Sequence, residues 1–465
     1  MLTFISNIYT SYISVSVILI TAIGLFFLIK KPLYTFYIIV FTLPFKSLYI
    51  WIGTNIEAWK ILSGVSLLLY SSALLIGGYN KIKTNKYFNQ LIFYCGYTIF
   101  LTIFFIFIIP SSEQYSVEGG FFKNEGRFIL QIFLFLITIN LILLPIFVIK
   151  KPDEIIKILK VHLYAIIALS ILGIIQETVI RIFGIDLFPI HRPGGIFDYE
   201  GGYYHALGAA APARRMSSLA GEPKHLAIAL DIGILITLLY RVNGVKIIKN
   251  DIWVIVMFLL CLLVTHSGTG YVWFGIITII VMLLYRFKLP KAVFTLIIVS
   301  GLSMFIFNIF SSSKISPYLM KTYNRLGIEV QDQAVLDFFK KNPLYAITGL
   351  GLGNIHFYAE KYLPPEFPIF RDTPFKGNTG FFLLLGDVGL LGILIFTLFS
   401  IGLIKTNKRL IKTKFKNEPG YKIINHLMIV AFILFWFRYY EFFFVILGLM
   451  LYLNNVSHNK IYSNK

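Results

Sequence analysis

The stretch "RRMSSLAGEPKHLAIAL" (residues 214–230) crowds Arg214, Arg215, Glu222, Lys224 and His225 into the start of an apolar run. Arginine is always charged, and its planar fork of donors matches a phosphate bidentately. Pro223 is well placed as the first residue of a helix, because its fixed φ suits that position. Such a start turns the N–H groups and the positive end of the helix dipole toward an anion. Together with Arg214, Arg215 and Lys224 it would cradle a diphosphate. Glu222 is then either a general base or an arginine partner. The same residues also fit a plainer role as interfacial arginines on lipid headgroups, with Glu222 as their salt-bridge mate.

A second group of candidates lies downstream. Arg325 precedes an amphipathic segment (328–340), and "TGLGLGNIH" follows with Gly349, Gly351, Gly353, Asn354 and His356. The glycines permit tight turns, but as a phosphate motif the run is weak, since no βαβ unit surrounds it. His356 has a side chain suited to proton transfer near neutral pH; His191, His205 and His225 rank below it. The chain has no paired carboxylates, Walker loop, His-Glu-x-x-His or Cys/His cluster. Cys95 and Cys261 both fall in apolar segments, so neither a disulfide framework nor a metal site is expected. No cofactor is called for. Asp231 and Glu177 lie within apolar runs, where polar contacts between helices are the simpler reading than an ion pathway.

These residues are positioned by an apolar scaffold. Of the 465 residues 57% are hydrophobic and 14% charged, a balance that suits a bundle facing lipid and no soluble domain of this size. Apolar spans are expected over 8–29, 32–52, 61–79, 88–109, 127–148, 158–182, 224–240, 251–266, 269–285, 292–310, 378–404, 423–437 and 442–456. Pro44 and Lys46 interrupt the second, so twelve or thirteen helices are expected in one integral membrane domain (1–465). The first span lacks a basic leader and a small-residue cleavage site, and reads as a retained helix. Assigning loops by alternation puts 24 of the 42 Lys and Arg residues on one side with only four acids, which makes that side cytoplasmic. The net charge of +20 is thereby explained without nucleic acid. Two long loops, 183–223 and 311–377, fall on the opposite, outer side, and long loops carry function.

With these residues in place the chain resembles the O-antigen/exopolysaccharide polymerase (Wzy) and O-antigen ligase superfamily. "RRMSSLAGEP" with "KHLAIAL" is similar to its Arg-x-x-Ser-x-x-x-Glu-Pro-x-x-x-Ala pattern, through Arg215, Ser218, Glu222, Pro223 and Ala227. "NRLGIEVQDQAVLDFFKKNPLYAITGLGLGN" resembles the family's second long outer loop, with Arg325 and Gly349–Asn354 at its arginine and glycine positions. "NTGFFLLLGDVGLLGILIF" resembles the next helix through Asn378, Asp387, Gly389 and Gly392, and "THSGTG" (265–270) its short Ser/Gly turn. The likeness spans about residues 170–450. One departure is Gly377, where ligases show His-Asn before that helix; with the extended Glu-Pro form, it leans toward polymerase.

The resemblance implies an inner-membrane bacterial glycosyltransferase, independent of metal, that uses an undecaprenyl-diphosphate-linked oligosaccharide at the outer face. It implies Arg214, Arg215, Lys224 and Arg325 on the diphosphate, Glu222 or His356 as base, and Ser218, Asn354 and Asn378 as further site residues. A chain-length regulator and a flippase are the partners it brings. Two other readings stay open: an O-antigen ligase with a lipid A core acceptor, and a polysaccharide flippase. Short loops, charged spans and an internal repeat would favour the flippase, and a deletion strain's glycan pattern separates all three.

Overall fold

The computed structural model describes residues 2–51, 55–75, 86–108, 124–183, 216–285, 330–363, 379–413, 415 and 418–462. Within them the chain is helical almost throughout. The helices are α1 (Leu2–Lys30), α2 (Pro32–Thr42), α3 (Ala58–Leu75), α4 (Lys86–Ile108), α5 (Asn124–Val148), α6 (Asp153–Phe183), α7 (Pro223–Val242), α8 (Asp251–Thr265) and α9 (Gly268–Tyr285). Three short helices follow, α10 (Val330–Lys341), α11 (Pro343–Thr348) and α12 (Ile355–Ala359), then α13 (Gly380–Thr413), α14 (Pro419–Phe437) and α15 (Phe442–Tyr462). The strands among the described residues form one antiparallel hairpin, β1 (Tyr49–Trp51) with β2 (Asn55–Glu57), in which Ile50 faces Ile56.

Among the described residues eight helices are long and apolar enough to cross a membrane: α1, α4, α5, α6, α7, α9, α13 and α14. They coincide with eight of the expected spans. Their outward faces carry large apolar side chains that water would reject, such as Ile18, Phe26, Phe93, Phe100, Leu283, Leu394 and Leu398. The protein is an all-α polytopic membrane protein.

The expected span over 32–52 takes a different form. Its helix stops at Thr42 after eleven residues, about 16 Å at 1.5 Å per residue and short of a bilayer core of about 30 Å. Pro44 cannot extend the ladder, and the chain turns into the β1–β2 hairpin instead. The expected span over 292–310 lies outside the described residues.

The chain divides into two compact units. One comprises Met1–Leu62 and Asp153–Thr322, the other Ser63–Pro152 and Tyr323–Lys465. In the first, α7 is the central helix: sixteen of its twenty residues are buried, so it meets protein on every side. Small residues allow the close packing. A Cβ at Gly270 of α9 would lie 2.5 Å from the Ala227 Cβ, and one at Gly233 would lie 2.7 Å from the Phe258 ring of α8.

In the second unit, α4, α5, α13, α14 and α15 pack through apolar side chains, with Phe396, Phe435 and Phe443 fully buried among them. The amphipathic helix expected over 328–340 is α10. It buries Ala334, Val335, Phe338 and Phe339 against Leu350, Ile355 and Leu385.

Candidate functional site

In the first unit three segments distant in sequence converge on the N-terminal end of α7. Pro223 is the first helical residue there, as its fixed φ suggests, and Glu222 precedes it in an extended conformation. The segment leading into Glu222 is pinned at every step. The Met216 N–H donates to the Val264 carbonyl at the end of α8 (3.2 Å), and the Ser47 N–H donates to the Leu219 carbonyl (3.0 Å). Ser218 is held deepest: its N–H donates to Gln176 Oε1 (2.9 Å) and its hydroxyl to the Leu169 carbonyl of α6 (2.8 Å). It is 1% exposed and adopts φ 52°, a left-handed value that costs a non-glycine residue about 1–2 kcal/mol. Its hydroxyl is thus committed to holding the turn.

The turn presents charge. Glu222 Oε2 and Lys224 Nζ are 2.7 Å apart, both side chains largely covered. Glu222 thus pairs with Lys224, a cation other than the arginines expected as its partners, which lie outside the described residues. The loop after α2 closes the other side: a Cβ at Gly221 would touch Ser47 Oγ (3.4 Å) and the Lys46 Cβ (3.5 Å). Lys46 in turn sits 5.4 Å over the ring of Trp59, which also receives Lys60 at 5.7 Å, while Lys60 pairs with the buried Glu57. The Lys46 stem thus packs beside Gly221 while its ammonium sits over Trp59, and Lys224 is the ammonium shown at the start of α7. Near them lies the "THSGTG" turn, where His266 is left-handed and the buried Ser267 oxygen accepts from Gly270 N–H (3.4 Å) at the head of α9.

The glycine run is in the second unit, and its chemistry is different. Every backbone N–H from Gly349 to Asn354 donates to protein. Gly349 donates to Tyr345 O (2.8 Å), Leu350 to Gly386 O (3.0 Å), Gly351 to Asp387 O (2.8 Å) and Asn354 to Gly351 O (3.3 Å). Leu352 donates to Thr102 Oγ1 (3.0 Å) and Gly353 to Asp387 Oδ1 (3.0 Å). No N–H remains to line a phosphate cradle. The reason is the break in α13 at Gly389, where φ 64° and ψ −175° interrupt the helix. The glycine run takes up the carbonyls of Gly386 and Asp387 beside that break, as a buried broken helix requires. Tyr97 of α4 supports the crossing through a hydroxyl bond to Thr348 O (2.8 Å).

Asn354 is 3% exposed, and its amide donates to Leu350 O (2.8 Å), so it closes the same turn. His356 is 6% exposed in α12, its ring edge-on to Phe357 at 5.5 Å. On α10, Gln333 and Lys340 donate to Asp337 (2.8 and 3.0 Å) and hold its carboxyl below the usual carboxylate range. The buried Asp332 accepts from the Thr379 N–H at 3.5 Å.

Of the expected site residues, Ser218, Glu222 and Lys224 come together in the first unit, and Asn354 and His356 in the second. Arg214, Arg215, Arg325 and Asn378 lie outside the described residues, as do His191, His205 and Gly377. Among the described residues no three His, Cys, Asp or Glu side chains gather as a metal site would need. Sequence reasoning missed Lys46, seen only as an interruption of a span, and Gln176, a polar residue in an apolar helix whose oddity was the available signal. Compared with known proteins, the chain matches no family model and no curated sequence. Fold and site together define the class stated above, a multi-pass membrane protein with a basic, pinned helix end in one unit.

Proposed function

We propose that the protein is a polysaccharide polymerase. It transfers a polyprenyl-diphosphate-linked glycan onto the sugar hydroxyl of another lipid-linked repeat unit at the outer face of the bacterial cytoplasmic membrane. What supports this reading is the pinned start of α7, where Pro223 begins the helix and Lys224 and Glu222 bring charge to it. Arg214 and Arg215 stand two residues or fewer before the first pinned residue, Met216.

In this reading the acceptor hydroxyl attacks the anomeric carbon, and the bond from that carbon to the diphosphate oxygen breaks. The electron pair leaves with the polyprenyl diphosphate. Arg215, Arg214 and Lys224 stabilise the charge that develops there, an effect worth about 3–4 kcal/mol per well-placed donor in other enzymes. The hydroxyl proton passes to Glu222. Arg325 and His356 are the further arginine and base that the family resemblance adds.

The test is Arg215→Ala and Arg325→Ala in cells whose polysaccharide is resolved on a gel. Loss of long chains with accumulation of single lipid-linked repeats is expected. A normal chain-length distribution in both variants refutes the reading. Polymer stranded on the carrier lipid in a deletion strain would make the protein a ligase, and repeats trapped on the cytoplasmic side would make it a flippase.

A further inference from the structure

A groove of about 650 Å³ in the second unit lies apart from every expected site residue. It runs between the start of α4 and the middle of α13. Lys86, Asn89 and Gln90 line one end, and Phe93, Ile395 and Leu398 line the other. The two helices run antiparallel here: the Tyr87 hydroxyl bonds to the Gly402 carbonyl (3.0 Å) and to Thr406 Oγ1 (2.6 Å). The last turns of α13 therefore rise beside the start of α4, where Lys86 is the basic residue that lines the groove. The apolar end opens outward, with Phe93 63% and Leu398 56% exposed. One group in the groove is chemically incomplete: Gln90 Oε1 is buried with no hydrogen-bond donor among the described residues.

We propose that this groove binds one anionic phospholipid of the surrounding bilayer. The shape and chemistry match such a molecule from end to end. Lys86 meets the phosphate, and basic pockets between membrane helices favour anionic headgroups. Asn89, exposed at the same end, donates to a phosphate oxygen. The acyl chain lies along Phe93, Ile395 and Leu398, and the volume is that of a small-molecule site. A zwitterionic lipid fits the apolar half equally well but cancels the attraction at the basic half. The site does not depend on the proposed transferase activity, and it survives if that activity is refuted.

The test is native mass spectrometry of the purified full-length protein released from micelles containing phosphatidylglycerol or phosphatidylcholine. Wild type is expected to retain one phosphatidylglycerol in preference to phosphatidylcholine. Lys86→Gln should weaken that retention about fivefold and Lys86→Glu roughly thirtyfold, from the usual attraction of one basic side chain to an anionic headgroup. Leu398→Trp, which narrows the apolar half, should lower retention of both lipids alike. Lys246→Glu, in the other unit, should change nothing. Equal retention of the two lipids by wild type overturns the proposal without any variant. So does unchanged phosphatidylglycerol binding in Lys86→Glu, or displacement of bound phosphatidylglycerol by stoichiometric polyprenyl phosphate, which would assign the groove to the carrier lipid.

Discussion

Replacing Gly389 by alanine puts a methyl group where two backbones cross. Gly389 breaks α13, and Gly349 packs against it so closely that a Cβ at Gly349 would lie 2.5 Å from the Gly389 nitrogen and the Val388 carbonyl carbon. A Cβ at Gly389 would in turn collide with the Gly349 nitrogen and the Ile347 oxygen. Backbone cannot swing aside as a side-chain tip can. The conformation itself, φ 64° with ψ −175°, is essentially reserved for glycine and costs another residue about 1–3 kcal/mol. Overpacking adds about 1–3 kcal/mol. Gly389→Ala should therefore destabilise the second unit by about 4 kcal/mol, a large share of a typical stability of about 5–15 kcal/mol.

The molecule carries its own reporters for this measurement. Its two cysteines are both free and buried, Cys95 in the second unit and Cys261 in the first. In a Cys261→Ser background, a thiol-reactive fluorogenic dye reads the unfolding of the second unit through Cys95. A loss of about 4 kcal/mol should lower that melt by on the order of 10 °C. Gly275→Ala is the control, read through Cys261 in a Cys95→Ser background. Its Cβ would meet nothing within 4 Å, so it should melt unchanged or slightly higher, since alanine in a helix gains about 0.5–1 kcal/mol over glycine. A Gly389→Ala melt within about 1 °C of its parent would refute the crossing.

Two further outcomes follow from the first unit, both read through Cys261 in the Cys95→Ser background. Ser218→Ala loses the bond to Leu169 O and keeps the left-handed strain, so it should destabilise by about 1 kcal/mol. Ser218→Gly loses the same bond but sheds about 1–2 kcal/mol of strain, so it should melt at or above the parent; the opposite order of the two variants would show that the hydroxyl does more than hold the turn. Asp231 is fully buried in α7, and neither carboxyl oxygen has a hydrogen-bond partner among the described residues. Asp231→Leu should therefore raise the melt, by the lifting of a desolvation cost of about 1–3 kcal/mol; a lower melt would mean that Asp231 serves a partner worth more than that cost.

The sequence made the long helices legible because length and hydropathy decide them. Asp153–Phe183 and Pro223–Val242 need only apolar runs and, for the latter, a proline start. It did not reveal where a helix stops for tertiary reasons. The run after residue 32 stays apolar to residue 52, yet Pro44 ends its ladder and the freed chain becomes a hairpin. Nor could it place a break inside α13, because a glycine in an apolar helix is ordinary until a second backbone leans on it. In the site, Glu222 and Lys224 were legible through local spacing, and Ser218 through the family pattern the segment resembles. Lys46 was not, since its approach to Gly221 depends on Ser47 bonding to a residue more than 170 positions away.

Hydrogen-bond accounting also decides which part of each motif can meet a substrate. In the glycine run every amide from Gly349 to Asn354 is spent on the broken helix, so its backbone serves architecture and not anion binding. In the 216–222 segment the pins are the backbone, the Ser218 hydroxyl and Gln176, turned onto α6, α8 and the loop after α2. What the segment leaves at the start of α7 is charge on side chains, Lys224 beside Glu222. The serine motif acts one layer beneath that pair, as the support that fixes the turn carrying it.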